Sequence, residues 1–150
     1  MSIGLDPRAF PTVTPVAPGR GIERPPNGSG TRVLVVESDP GLRRWYRQAL
    51  ADAGYRVDEA PGGEEALERL RDEPAPDAMV LEVELAGMSG IELLRRALVL
   101  HPGLAVVFNT KCEAFKAHFG TWGADRFVVK SSDLSELKTA LAEVLTHCRS

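Results

Sequence analysis

Two hydrophobic rhythms take turns along most of this chain, and their exchange limits what it can fold into. Residues 33–36 form a short apolar run, mostly β-branched and without a turn former, as a strand buried on both faces requires. The run stops at Glu37-Ser38-Asp39-Pro40. Asp39 followed by Pro40 is a helix start, a capping side chain and then a ring whose φ is already helical. Leu42, Trp45, Tyr46, Ala49 and Leu50 then recur at helical spacing until Gly54. The cycle repeats with a weaker strand at 55–59, a helix at 64–71, a buried strand at 78–83 and a helix lined by Ile91, Leu94 and Leu98. Ser89 and Glu92 mark that helix as opened by a capping box. A fourth strand follows at 104–108, a short fourth helix at 113–119 and a fifth strand at 127–129. Asp133 with Glu136 opens a fifth helix bearing Leu134, Leu137, Leu141, Val144 and Leu145.

Five strands alternating with five helices imply a parallel sheet with right-handed crossovers, covered on both faces. About 120 residues suit an α/β flavodoxin-like fold, a doubly wound five-stranded sheet in a three-layer sandwich. In such a sheet the functional crevice lies outside the carboxyl ends of the strands, here at Glu37-Ser38, Glu82, Asn109 and Lys130. Two carboxylates, an amide and a lysine thus converge from four separate stretches.

The first thirty residues are of a different kind. They hold 6 of the 11 prolines and 5 of the 14 glycines, with almost no apolar periodicity. Such a stretch cannot offset its ordering entropy by burial, so residues 1–30 are expected to be a disordered arm before a domain at 31–150. It is either an inert leader or a partner-binding peptide. The arm carries three arginines against Asp6 and Glu23; removing its single positive charge from the net −3 leaves the domain near −4. That balance argues against nucleic acid or an anionic membrane as partner. No apolar run approaches a membrane span, and the N-terminus has no signal-peptide pattern. Cys112 and Cys148 form no disulfide framework, so a reduced, cytoplasmic setting is expected. His101, His118 and His147 lack metal spacing, and Pro61-Gly62-Gly63 lacks the lysine of a phosphate-binding loop.

Three stretches, VLVVESDPGLRR, PDAMVLEVELAGMSGIELLRR and GADRFVVKSSDLSEL, resemble the receiver domains of response regulators in two-component signalling. The resemblance runs from Arg32 to about Cys148. It implies the CheY-like strand order 2-1-3-4-5. In that family an acidic pair after the first strand and an aspartate ending the third hold Mg²⁺; a histidine kinase phosphorylates that aspartate, and a lysine and a Thr/Ser bind the phosphoryl oxygens. By position, Glu37 and Ser38 stand at the acidic pair, Glu82 at the phosphoacceptor, Asn109 at the Thr/Ser switch, Phe127 at the switch aromatic and Lys130 at the lysine. Ser131 replaces the proline that usually follows the lysine. The Asn109–Lys130 spacing is one residue short, which leaves Thr110 as a competitor for the switch position.

The departures share one direction. Mg²⁺ wants close octahedral oxygen ligation, and Ser38 removes a charge from the pair. Glu82 extends the acceptor by one methylene, away from an in-line approach, which phosphoryl transfer punishes heavily. Glu37 and Glu82 still offer two carboxylates, enough for weak Mg²⁺ binding, and no dedicated cofactor is expected. A Glu82–Lys130 pair would either imitate the phosphorylated contact permanently or hold an inert scaffold.

The expected function is that of a non-enzymatic, phosphorylation-independent receiver working through protein contacts, as a monomer or weak homodimer. A histidine-kinase-like protein or downstream effector would dock on the arm or on the face of the fourth helix, fifth strand and fifth helix. Because the chain stops soon after the fifth helix, output would pass through docking. The alternatives are a phosphorylation-competent receiver and a flavodoxin-like small-molecule binder or small enzyme. Trp45, Tyr46, Phe115, Phe119 and Trp122 read first as core residues, the last three also as a possible partner surface.

Overall fold

The computed structural model describes residues 30–147. The arm expected over residues 1–30 therefore lies, except for Gly30, outside the described residues. Five strands, β1 (Arg32–Val36), β2 (Arg56–Ala60), β3 (Ala78–Leu81), β4 (Ala105–Thr110) and β5 (Arg126–Val129), form one sheet of order β2-β1-β3-β4-β5. Every pairing is parallel. Four α-helices cover it: α1 (Pro40–Asp52), α2 (Gly63–Arg71), α3 (Gly90–Leu100) and α4 (Ser135–His147). None of them is long and apolar enough to cross a membrane.

The apolar runs are continuous because alternate residues serve opposite cores. Leu34, Val36, Met79, Leu81, Val106 and Phe108 point to the layer of α2 and α3. Val33, Val35, Ala78, Val80, Ala105 and Val107 point to the layer of α1 and α4. All of them are buried, so along these stretches the strands carry apolar side chains on both faces, and buried polar side chains enter only at a strand end, as Asn109 and Thr110 do in β4. β2 is an edge strand and escapes this demand. Its Glu59 takes Arg43 at 3.2 Å and Arg47 at 2.6 Å, which is why its sequence signal is weak.

The fourth helix expected at 113–119 is not an α-helix. A single 3₁₀ turn, Glu113–Phe115, is followed by turns as far as Gly123, whose φ is +101°. Backbone N–H groups here mostly donate three residues back, as from Lys116 to Glu113 and His118 to Phe115. The cause is the aromatic load. Phe115 and Trp122 lie 5.7 Å apart, Trp122 meets Phe108 edge-on at 6.1 Å, and Phe119 meets Phe127 at 5.8 Å. All three aromatics must turn inward, and Gly120 and Gly123 let the backbone wind tightly enough to allow it.

Smaller differences bear on the rim. β3 ends at Leu81 rather than residue 83, so Glu82 lies just beyond the strand. β4 runs on past Phe108, because Asn109 and Thr110 pair with Val128 and Val129; Asn109 therefore sits in the strand, not after it. β2 lies one residue later than expected. The capping box at α3 is half formed: Ser89 Oγ accepts from the Glu92 N–H at 3.2 Å, while the Glu92 carboxylate accepts from Arg95 and Arg96. Asp133 precedes α4, its Oδ1 accepting from the Ser135 N–H at 2.9 Å.

Candidate functional site

The sheet register decides which side chains can meet. Val36 pairs with Leu81, Leu81 with Phe108 and Phe108 with Phe127. One step further along each ladder, Glu37 and Glu82 stand side by side, with Asn109 next in line. By strand alternation Glu37, Glu82, Asn109 and Lys130 all take the α1–α4 side, the side of Val35, Val80, Val107 and Val128. The backbone keeps its ladder to the edge: the Glu82 N–H donates to Val36 O at 3.1 Å and the Lys130 N–H to Thr110 O at 2.9 Å.

At that edge the Lys130 ammonium bridges both carboxylates, with Nζ 2.8 Å from Glu37 Oε1 and 2.5 Å from Glu82 Oε1. The three side chains are only 10, 5 and 6 % exposed in that order. Each glutamate turns its other oxygen back on its own loop. Glu37 Oε2 accepts from the Asp39 N–H at 3.0 Å, and Glu82 Oε2 from the Glu84 N–H at 2.9 Å. Burial works to lower the Lys130 pKa, but the hydrogen bonds and charges of Glu37 and Glu82 outweigh it and hold the group above the ordinary 10.5. The ammonium stays charged, and two anions with one cation leave the triad one negative charge in a nearly dry setting.

Asn109 is buried beside this triad and shares a hydrogen bond with the Tyr46 hydroxyl. Burial raises the Tyr46 pKa above 10.0, partly offset by that bond. Tyr46 was expected simply as core. A tyrosine instead of an aliphatic residue on a fully buried helix position needs a partner for its hydroxyl, and that was the available signal. Thr110, fully buried, has the opposite strand parity, and its Oγ1 accepts from the Cys112 N–H at 3.4 Å. Phe127 also faces the α2–α3 layer, packed on Phe119. Ser38 is exposed, outside the triad. Asp39 caps α1, Oδ1 accepting from the Gly41 and Leu42 N–H groups at 2.8 and 3.0 Å.

A second residue that sequence reasoning missed is Gly90. A Cβ there would run into the Glu82 carbonyl and come within 2.8 Å of Val83 Cα. Its N–H donates to Val83 O at 2.8 Å. The loop after β3 thus closes on the backbone of Glu82, and only a glycine lets it.

Receiver domains hold Mg²⁺ at their phosphorylation site. Here each of the four glutamate oxygens already has a partner, and the ammonium occupies the point where both carboxylates converge. No group of three metal-ligating side chains occurs among the described residues. A divalent ion wants six or so oxygen ligands, and this donor set, as arranged, does not fit one.

Residues 33–142 match the family model described as the response regulator receiver domain. The response regulator receiver protein CpdR of Brucella abortus is 39% identical over 79 residues, 53% of this chain and 65% of that protein. The response regulator GacA of Pseudomonas viridiflava is 35% identical over 114 residues, 73% of this chain and 53% of that one. The chain thus spans between about half and two thirds of the length of these relatives. Among solved structures, the response regulator TrrA of Thermotoga maritima, in complex with Mg²⁺–BeF, is similar with a TM-score of 0.71 at 30% identity, covering 76% of this chain and 98% of that one. A CheY-like receiver domain protein of Methanospirillum hungatei gives 0.73 at 26% identity, covering 79% and 95%. Sheet order, rim and family match agree, and the chain belongs to the response regulator receiver domain family of two-component signalling.

Proposed function

We propose that this receiver domain signals without being phosphorylated, through contacts with other proteins, and that it turns over no substrate. The carrying observation is the Lys130 ammonium held between Glu37 and Glu82. A lysine at this rim is free to meet an incoming phosphoryl group only if its charge is not already taken. Here two buried carboxylates take it. The acceptor position carries Glu82, one methylene longer than aspartate, and its second oxygen is fixed to the Glu84 N–H. Phosphoryl transfer depends on positioning and on cations placed for the transition state, and both are spent on the resting arrangement.

In this reading Lys130 does internally what a divalent cation does in phosphorylated relatives, so Mg²⁺ is neither needed nor firmly held. Asn109 is tied to Tyr46 and does not act as a mobile hydroxyl switch. The domain holds one conformation, and output follows from what docks on it. A kinase-like protein or a downstream effector in the cytoplasm, rather than nucleic acid or membrane, is the partner class; the domain is a monomer or a weak homodimer. The face expected around a fourth helix is here β5, α4 and the turn segment at 113–123. The arm at residues 1–30 is the other candidate for docking, and a pull-down with and without it separates the two.

Incubation with acetyl phosphate and Mg²⁺, followed by intact mass measurement, is expected to leave the protein unmodified. A stable phosphoryl adduct on Glu82 would overturn the proposal and favour a phosphorylation-competent receiver, the reading that the likeness to Mg²⁺–BeF-bound TrrA supports.

A further inference from the structure

Beside the triad, and sharing Lys130 with it, lies a groove of about 430 Å³. One wall is aromatic: Trp45, 39 % exposed, stacks on Tyr46 with ring centroids 5.5 Å apart and planes 29° from parallel, and Leu42 extends the apolar surface. Lys111, Ser131 and Ser132, all exposed, supply the polar part of its lining. Lys130 lines it too, with its ammonium engaged by Glu37 and Glu82.

An exposed indole on a helix is an unusual choice beside three arginines and a glutamine that keep the rest of α1 soluble. Lys111 is the cation left over at this rim; no carboxylate among the described residues lies within ion-pair distance of it. The Lys111 charge acts on Asp39, but the Asp39 carboxylate is occupied by the N–H groups of Gly41 and Leu42. Ser131 Oγ accepts from the Asp133 N–H at 3.0 Å, which leaves its proton to donate. An exposed indole, an ammonium and two hydroxyls lining one groove suit a ligand that is flat and apolar over part of its surface and anionic at one end. We propose that this groove is a binding site for a planar aromatic carboxylate, its ring against Trp45 and its carboxylate between Lys111 and the Ser131–Ser132 hydroxyls. The volume lies near the lower end of small-molecule sites, which limits the ligand to one or two fused rings. The ligand contacts proposed here use Trp45, Lys111, Ser131 and Ser132, none of which belongs to the triad, and the inference rests on the reading above only for the resting place of Lys130.

The test is a titration of the full chain with 2-naphthoate, followed by NMR of the tryptophan indole N–H signals and the backbone amides. A saturable shift is expected at Trp45, Ser131 and Ser132, with Trp122 unmoved. The neutral isostere 2-naphthamide should bind about tenfold more weakly, the worth of one charge-assisted hydrogen bond. Lys111→Gln should bring naphthoate to the same level, and Trp45→Ala should abolish the shifts. Both positions are exposed, and an unchanged Trp122 signal shows that the fold survives either change. Equal binding of acid and amide, shifts centred on Trp122, or no shift at millimolar naphthoate would each overturn the proposal. So would a Trp45 no more accessible to acrylamide than Trp122 in the free chain, since the groove would then belong to the N-terminal arm or a second copy.

Discussion

The rim of the sheet and the segment at residues 111–125 lie a few residues apart, yet they are held in opposite ways. At the rim, Glu37, Glu82 and Lys130 leave strands whose ladders continue to the last residue, and their side chains are locked to one another and to backbone N–H groups. In the segment, most residues are exposed, and the backbone makes a 3₁₀ turn and loose turns pinned by Phe115, Phe119 and Trp122. Where a ladder fixes the main chain, an exchanged side chain alters chemistry and leaves geometry alone. Where side chains fix the main chain, aromatic and glycine content decides whether a helix exists at all.

The largest effect should come from Lys130→Met. It leaves two buried carboxylates facing each other without their cation, and loss of one partner from a buried ion pair costs about 3–5 kcal/mol. Denaturant unfolding at neutral pH measures it. Part of the loss should return as pH falls and the carboxylates protonate, or when millimolar Mg²⁺ is added in place of the ammonium. A variant as stable as the parent would mean the triad holds nothing together.

Gly90→Ala should follow, at about 1–3 kcal/mol, because the added methyl meets the backbone at Glu82 and Val83 and the loop must shift. Its amide signals should move at Glu82 and Glu84 while those of the turn segment stay put. Trp122→Ala sharpens the comparison from the other side. It should cost about 1–2 kcal/mol, less than a fully buried aromatic, and strip hydrogen-exchange protection from 111–125 without touching the rim.

The smallest effect is in alkaline solution. Lys130 has its folded pKa raised above 10.5, so its contribution is complete below 10.5 and is lost as pH climbs through the folded value. Tyr46, raised above 10.0 chiefly by burial, loses stability in the same direction. The parent should therefore weaken more steeply above pH 10.5 than Lys130→Met, which keeps only the contributions of Tyr46 and of Tyr55, whose pKa burial also raises.

The same contrast explains what the sequence made legible. Central strands announced themselves because both faces are buried, and the order of strands and helices gave the sheet. Glu37, Glu82 and Lys130 could be assigned to one edge because each directly follows its strand. The fourth helix misled because Phe115, Phe119 and Trp122 recur at spacings of four and three, the same as an amphipathic stripe, while the winding was decided by Gly120 and Gly123 and by contact with Phe108 and Phe127. That Lys130 engages both glutamates, or that each returns an oxygen to the N–H two residues on, depends on rotamers and loop closure that no pattern in the chain encodes. Tyr46 reaching Asn109 is a contact of the same kind.

The account rests on a rim whose cation is already in place. Titration of the full chain with Mg²⁺ and beryllofluoride, read by tryptophan fluorescence and the amide signals of Glu82, Asn109 and Lys130, tests that most directly. No saturable change is expected at millimolar concentrations. A saturable response at those three residues would show Lys130 leaving Glu37 and Glu82 to meet a phosphoryl mimic, and would contradict it.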